Sequence, residues 1–247
     1  MEWRERDGVR WLEAELPGAR AAFSTRAGGV SSPPFEELNL GILTGDDRED
    51  VTENRRRLAA AVGIEPTDVL MGLQVHGAEV VGHKAAQDPS PYAAPGTELT
   101  ESDGHFTATA GLAPLVLVAD CLPVALCGPD GVAMLHCGWR GLADGIVERG
   151  VAAVGASSAA IGPGIGKCCY EVGEEVLAEF EGLGEGIADG RMLDLPEVAR
   201  RLLSEAGVEQ AEGAGLCTKC EPQLFYSHRR DGERSGRQAG IAWLEAA

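Results

Sequence analysis

Three separated polar residues lie inside turn motifs that contain Gly or Pro: His76 in QVHG, Cys121 in ADCLP and His136 in HCGWRG. One thiolate and two imidazoles form a borderline-soft donor set that suits Zn²⁺, with copper as the rival metal. Three protein donors leave a fourth position for water or substrate, the pattern of a catalytic metal. The same residues also read as two ordinary histidines and a core cysteine, because no short metal-binding spacing joins them. Cys121 sits between two apolar runs, a place where cysteine commonly acts as a small core residue. Asp120 beside it favours the ligand reading: a charge at the edge of a buried strand needs a partner, and a hydrogen bond to a liganding histidine would supply one.

Other stretches carry weaker signals. Trp139 in HCGWRG could stack on a planar base or simply pack, and Arg140 could bind an anion or form a structural ion pair. STRAGGVSS places Arg26 beside a flexible, donor-rich loop suited to phosphate or carboxylate. That loop lacks the spacing and Lys-Ser/Thr end of a Walker motif. FYSHRRDGERSGRQAG gathers Arg229, Arg230, Arg234 and Arg237 with Ser227, His228 and Gln238. Taken by itself it reads as a solvated basic loop that balances an acidic protein. Cys217 and Cys220 form a single CxxC, and the adjacent Cys168 and Cys169 look poorly placed to complete a zinc site, so a thiol pair packed beneath a turn is expected there.

The elements that must position these residues alternate between strand and helix. A strand over 21–24 enters the Arg26 loop. Asp47–Val62 reads as a helix capped by Gly63, with Val51, Leu58 and Val62 on one stripe. Strands over 69–75 and 79–82 are expected to flank the His76–Gly77 turn. Apolar runs at 115–119, 122–126 and 132–135 read as buried strands. Helices follow over 142–154, 174–180 and 195–206, the last opened by Asp194, Pro196 and Glu197, and 159–161 is a further strand. The Pro- and Ala-rich stretch 89–96 reads as a surface loop. Mixed α and β structure with sheets inside and helices outside follows.

Length and charge bound the function. A chain of 247 residues can bury a sizeable core. With 39 acidic against 21 basic residues the net charge is −18, which repels nucleic-acid phosphates and anionic membranes. An anionic substrate must then be met by a few placed arginines. The N-terminus MEWRERDGVR lacks the apolar core of a secretory signal, and no apolar run approaches the about 20 residues of a bilayer span. A cytoplasmic protein is expected, whose seven cysteines serve as thiols or metal ligands rather than a disulfide framework.

Taken in order, STRAGGVS, LNLG with GDD and the later NR, QVHG, SDGHFT, ADCLPV, HCGWRG, GPGIGKCCYEV, CT and SHRRDG–GRQAG run from about residue 22 to the C-terminus. Together they resemble the YfiH/YlmD-type family, formerly described as multicopper polyphenol oxidase (laccase) and now as purine nucleoside phosphorylases. The resemblance implies one domain over residues 1–247, an α+β four-layer α-β-β-α sandwich with mixed sheets related to cysteine-hydrolase-like proteins. It also implies His76, Cys121 and His136 as ligands, usually of zinc. Cys137 departs from the family's usual alanine and sets a second thiol beside His136; His105 follows SDG where an aliphatic residue is usual and is a further possible ligand.

The implied activity is phosphorolysis of adenosine, inosine, guanosine and methylthioadenosine, with adenosine deamination alongside. Five histidines and no His-x-His pair cannot fill a multicopper oxidase, although copper could enter the zinc site. Arg26 and Arg140, with Arg237 behind them, are the candidate phosphate-binding residues, Trp139 the candidate base-stacking residue, and Asp120 the candidate orienter of a histidine. The alternatives are a metal-free cysteine hydrolase or amidase, with Cys121 as nucleophile and His136 as base, acting in peptidoglycan-precursor editing, and a metal-binding protein without turnover.

Overall fold

The structure, a computed structural model, describes residues 1–245. Asp7 and Gly8, at φ 51° and 81°, close a two-residue hairpin between β1 (Glu2–Arg6) and β2 (Val9–Leu16). An Asp-Gly pair favours that turn because both residues tolerate positive φ and match the twist of the strands. β3 (Ala19–Ser24) follows, then the Arg26 loop and α1 (Arg48–Val62). Asp47 caps α1 by accepting from the Glu49 and Asp50 N–H groups, and Gly63 ends it at φ 77°.

Short β4 (Val69–Leu70) and β5 (Val80–His83) precede β6 (Gly104–Thr107), β7 (Ala113–Val118), β8 (Leu122–Gly128) and β9 (Gly131–Cys137). α2 (Trp139–Ala143), α3 (Ile146–Val154) and β10 (Ser158–Ile161) come next. They are followed by α4 (Glu174–Ala178), β11 (Ala188–Asp189), β12 (Met192–Leu193) and α5 (Leu195–Glu205). The chain ends with β13 (Gln210–Gly213), α6 (His228–Asp231) and β14 (Gln238–Leu244).

The strands form two six-stranded mixed sheets, ordered β1-β2-β3-β14-β7-β4 and β13-β10-β8-β9-β6-β5. Alternation divides the core into three. Leu12, Ala14, Phe23, Val116 and Val118 of the first sheet meet Ala125, Val132, Met134 and Ala160 of the second. The opposite face of β8 and β9, with Leu122, Val124, Leu126 and Leu135, packs against Ile146 and Val147 of α3 and Val198 and Leu202 of α5. Trp11, Leu115 and Ile241 on the outer face of the first sheet cover Leu58 and Ala59 of α1. The protein is therefore α+β with mixed sheets. Among the described residues no helix is long and apolar enough to cross a membrane.

Several expected elements differ. Only Val69–Leu70 of the segment before His76 is strand; Gln74 instead fixes that segment by a reciprocal side-chain pair with the Leu117 N–H and C=O, both 2.7 Å. The helix expected over 142–154 is split, because Gly145 at φ 84° turns the chain between α2 and α3. The end of the basic C-terminal segment is an interior strand: β14 pairs with both β3 and β7. The 89–96 stretch is not a simple surface loop, since Pro91 and Tyr92 are buried against α1.

Candidate active site

Side-chain alternation carries β9 into the site. Val132 and Met134 face the inter-sheet core, and His136, two residues on, continues the same face as the strand ends. Cys121 occupies the connection from β7 to β8, where Asp120 takes φ 94°. His76, at φ 62°, stands in the turn after Gln74. One donor atom from each of His76, Cys121 and His136 lies within 4.8 Å of the other two. The two imidazoles meet edge to face with centroids 4.9 Å apart.

Asp103, which precedes β6 and is fully buried, holds this group together. Its carboxylate accepts the N–H groups of Val75 (3.1 Å), His76 (3.0 Å) and Gly77 (2.8 Å), and His136 Nδ1 at 2.7 Å. One side chain thus fixes both the His76 turn and the His136 ring, leaving His136 Nε2 to face the site. Sequence reasoning missed this role, although Asp103 belongs to the quoted SDGHFT motif. The carboxylate expected to orient a histidine, Asp120, does something else. It accepts from Thr218 Oγ1 (2.6 Å) and the Arg229 N–H (2.7 Å), and its carbonyl accepts from Ile165 (2.7 Å). Asp120 therefore ties three loops around Cys121 rather than a ligand ring.

Two further candidates lie elsewhere. His105 is buried but bonds His83 Nε2 through Nδ1 at 3.1 Å and Ser102 Oγ through Nε2 at 3.3 Å. Cys137 alternates to the opposite face of β9 from His136 and is buried against the helices. Neither joins the donor group.

The arginines divide similarly. Arg26 donates to the carbonyls of Glu36 (2.6 Å) and Pro222 (3.0 Å) and lies over Tyr226, 4.7 Å from its centroid, so it binds two loops together. Arg140 lies over Trp139 at 4.3 Å; the indole face expected to stack on a base carries this guanidinium. Arg237 donates to the Ser235 and Gly236 carbonyls and feels the charges of Cys121 and Asp120. Among the described residues, no acidic side chain forms a salt bridge with Arg140 or Arg237. Tyr170 was not singled out from sequence. Burial and the nearby Cys121 charge push its phenol up to about 12, which keeps it a neutral donor beside the site.

Burial alone would raise the Cys121 thiol. The His136 charge and hydrogen bonds from His136 and His76 outweigh it and bring the thiol down to about 6. Burial would lower His136, but Cys121 and Asp103 hold it up at about 9. In metal-stripped protein Cys121 is therefore expected to react with iodoacetamide as its thiolate, with a rate rising through about pH 6. Rates followed by mass spectrometry check this; a midpoint near an ordinary thiol's value, about 8.5, would refute it.

The donor set fits a single metal ion: two imidazoles and a thiolate converge, and a carboxylate orients one ring. Gly138 leaves the space: a Cβ there would lie 3.0 Å from Cys121 Sγ and 3.2 Å from His76 Cδ2. A multicopper centre does not fit, because His83 and His105 engage each other and His228 is exposed on α6.

Two mixed sheets covered by helices, with a His₂Cys group where their interface opens, define an α+β protein with a candidate mononuclear metal centre. The chain belongs to the family described as "Multi-copper polyphenol oxidoreductase laccase", which it matches over residues 20–245. It is 38% identical over 240 residues to "Purine nucleoside phosphorylase YfiH" of Escherichia coli, covering 92% of this chain and 94% of that one. It is 41% identical over 252 residues to a "Purine nucleoside phosphorylase" of Deinococcus radiodurans, covering 96% and 94%. The crystal structure of YlmD from Geobacillus stearothermophilus superposes with a TM-score of 0.88 at 34% identity, covering 98% of each chain.

Proposed function

We propose that this chain is a zinc-dependent purine nucleoside phosphorylase acting on adenosine, inosine, guanosine and methylthioadenosine, with adenosine deamination at the same site. One observation carries the reading: the His76, Cys121 and His136 donors converge on one point, in a protein of net charge −18 whose Arg140 and Arg237 pair with no carboxylate among the described residues. The relatives' names supply the substrate class. We also read the three core layers as one four-layer α-β-β-α domain over the whole chain, of the cysteine-hydrolase-like kind, working in the cytoplasm.

Zinc held by His76, Cys121 and His136 would supply Lewis acidity toward a phosphate or sugar oxygen and, for deamination, acidify a water. The chain's own residues do the rest. Arg140, braced on Trp139, receives the incoming phosphate and neutralises its charge as it approaches the anomeric carbon. Arg237 adds a second positive charge from behind Cys121. Arg26 supports phosphate binding by holding the Glu36 and Pro222 loops. Tyr170 donates its hydroxyl proton into a hydrogen bond with a substrate oxygen.

The test is product analysis of adenosine incubated with metal-quantified protein, with and without phosphate, for wild type and Cys121→Ala. Phosphate-dependent adenine and ribose 1-phosphate, lost with zinc in the variant, are expected. Zinc-loaded protein that yields no purine product would sink the proposal. Within the same assay, Arg140→Ala is expected to raise the phosphate KM about tenfold, the loss of one charge-assisted hydrogen bond of about 1.4 kcal/mol. An unchanged KM would remove Arg140 from the phosphate site.

A further inference from the structure

Cys168 and Cys169, in the loop after β10, and Cys217 and Cys220, in the loop after β13, converge although sequence spacing alone gave no reason to pair them. One sulfur from each lies within 4.8 Å of the other three. Cys220 Sγ is 3.5 Å from Cys168 Sγ and 3.4 Å from Cys169 Sγ. A tetrahedral tetrathiolate zinc site has Zn–S bonds of about 2.3 Å and hence sulfur–sulfur edges of about 3.8 Å. Two of the six edges are therefore already close to the length that one zinc ion requires, and all six lie within 4.8 Å. None of them belongs to the His76, Cys121 and His136 group.

We propose that Cys168, Cys169, Cys217 and Cys220 form a second, structural metal site that binds one Zn²⁺ as a tetrathiolate. The backbone supports thiolate there. Cys217 Sγ accepts the Gly166 N–H at 3.3 Å, and the Cys220 N–H donates to the Cys217 carbonyl at 3.1 Å in the turn that brings the two cysteines together. Such N–H···S bonds orient and stabilise metal-bound sulfur. Charge supports it too. A tetrathiolate zinc carries two negative charges, and two of the chain's only three lysines, Lys167 and Lys219, are immediate neighbours of these cysteines. Adjacent residues can both ligate here because Cys168 and Cys169 both reach Cys220.

The position explains what the metal would do. The Gly164 and Cys217 loops are joined by a parallel bridge and by the Thr218 N–H donating to the Gly164 carbonyl at 3.0 Å. Thr218 then holds Asp120 beside Cys121, and Tyr170 follows Cys169 directly and lies 5.2 Å from the Arg229 guanidinium. A zinc ion at the four sulfurs would clamp the two loops that carry this wall of the site. The inference stands on the cysteine geometry alone and not on the phosphorylase reading.

The experiment uses the full chain purified under reducing conditions, with Cys121→Ala as background so that the first site is disabled. Titration with Co²⁺ is expected to saturate at one equivalent with intense thiolate-to-metal absorption. Adding Cys168→Ser and Cys220→Ser, both at exposed positions, is expected to abolish that absorption. In wild type, a mercurial is expected to release one zinc beyond that of the Cys121 site, with four further thiols blocked, a measurement that needs no variant to fold. Absence of cobalt binding to Cys121→Ala would overturn the proposal, as would undiminished absorption after the serine substitutions. A disulfide among the four cysteines, or iron with acid-labile sulfide in place of zinc, would overturn it as well.

Discussion

Replacing Asp103 with asparagine is expected to weaken zinc binding at the His76, Cys121 and His136 group about 10- to 100-fold, the usual cost of losing the carboxylate behind a liganding histidine. The four donors divide evenly: Oδ1 takes His136 Nδ1 and the His76 N–H, while Oδ2 takes the Val75 and Gly77 N–H groups. An amide keeps one oxygen, so either orientation turns an NH₂ group toward two of these donors. Each unmet donor costs about 1–3 kcal/mol, so the fold should lose about 2–6 kcal/mol as well. Chelator competition measures the first effect and urea unfolding the second.

The pH dependence of that stability loss follows from the shifts. Burial would raise the Asp103 carboxyl, but His136 and the Gly77 and Val75 N–H groups hold it below its ordinary value. Its contribution in metal-free protein is therefore present at neutral pH and lost on acidification through that lowered value. His136 is held up at about 9, so its bond to Asp103 stabilises fully below the ordinary imidazole value and is lost as pH rises through about 9. The gap between wild type and Asp103→Asn should be widest between those limits. Wild-type zinc affinity in the variant would show that His136 needs no carboxylate partner.

The donor triad was legible because residue type alone restricts what His, Cys and His can do together. The carboxylate that serves them was not. Asp120 attracted the role because it is adjacent to Cys121 in sequence, whereas Asp103 reaches His136 through the β6–β9 pairing, which only the sheet register reveals. The cysteine quartet failed for the same reason: Cys168 and Cys217 are brought together by the Gly164–Cys217 bridge. Amphipathic and capped elements fared better. Asp47, Gly63 and Asp194 mark α1 and α5 because a cap's hydrogen bonds are local. The β1–β2 hairpin carried its own Asp7–Gly8 signal, yet β1 is exposed along its whole length, so no apolar pattern drew attention to it. β14 was obscured by the arginines that precede it.

Arg55→Met is expected to destabilise the protein by about 3 kcal/mol, three buried carbonyls losing their donor at about 1 kcal/mol or more each. The corresponding fall in melting temperature is about 6–12 °C for a chain of this size. Arg55 is only 2% exposed inside α1. Its Nε donates to the Leu40 carbonyl (2.9 Å) and its Nη1 to those of Pro91 (2.9 Å) and Tyr92 (3.2 Å). These carbonyls lie in loops, so no sheet or helix ladder offers them a replacement. Tyr92 closes the cluster by donating its hydroxyl to the Arg55 carbonyl at 2.9 Å. Burial lowers the guanidinium only to about 10, so it stays charged at neutral pH. Lysine at position 55 should recover little, because one ammonium cannot reproduce the planar fork.

The damage should also reach substrate binding by a traceable route. Leu40 donates its N–H to the Arg237 carbonyl at 3.0 Å, and Asn39 Oδ1 accepts the Arg237 N–H at 2.8 Å. Loosening the 39–41 segment should therefore raise the phosphate KM while zinc content is retained, because Asp103 and its four donors lie outside this cluster. Asp103→Asn should lose zinc first. An Arg55→Met protein that melts like wild type would mean that the loops on α1 hold without their guanidinium; one that loses zinc in step with Asp103→Asn would mean that the two clusters are coupled through the sheets.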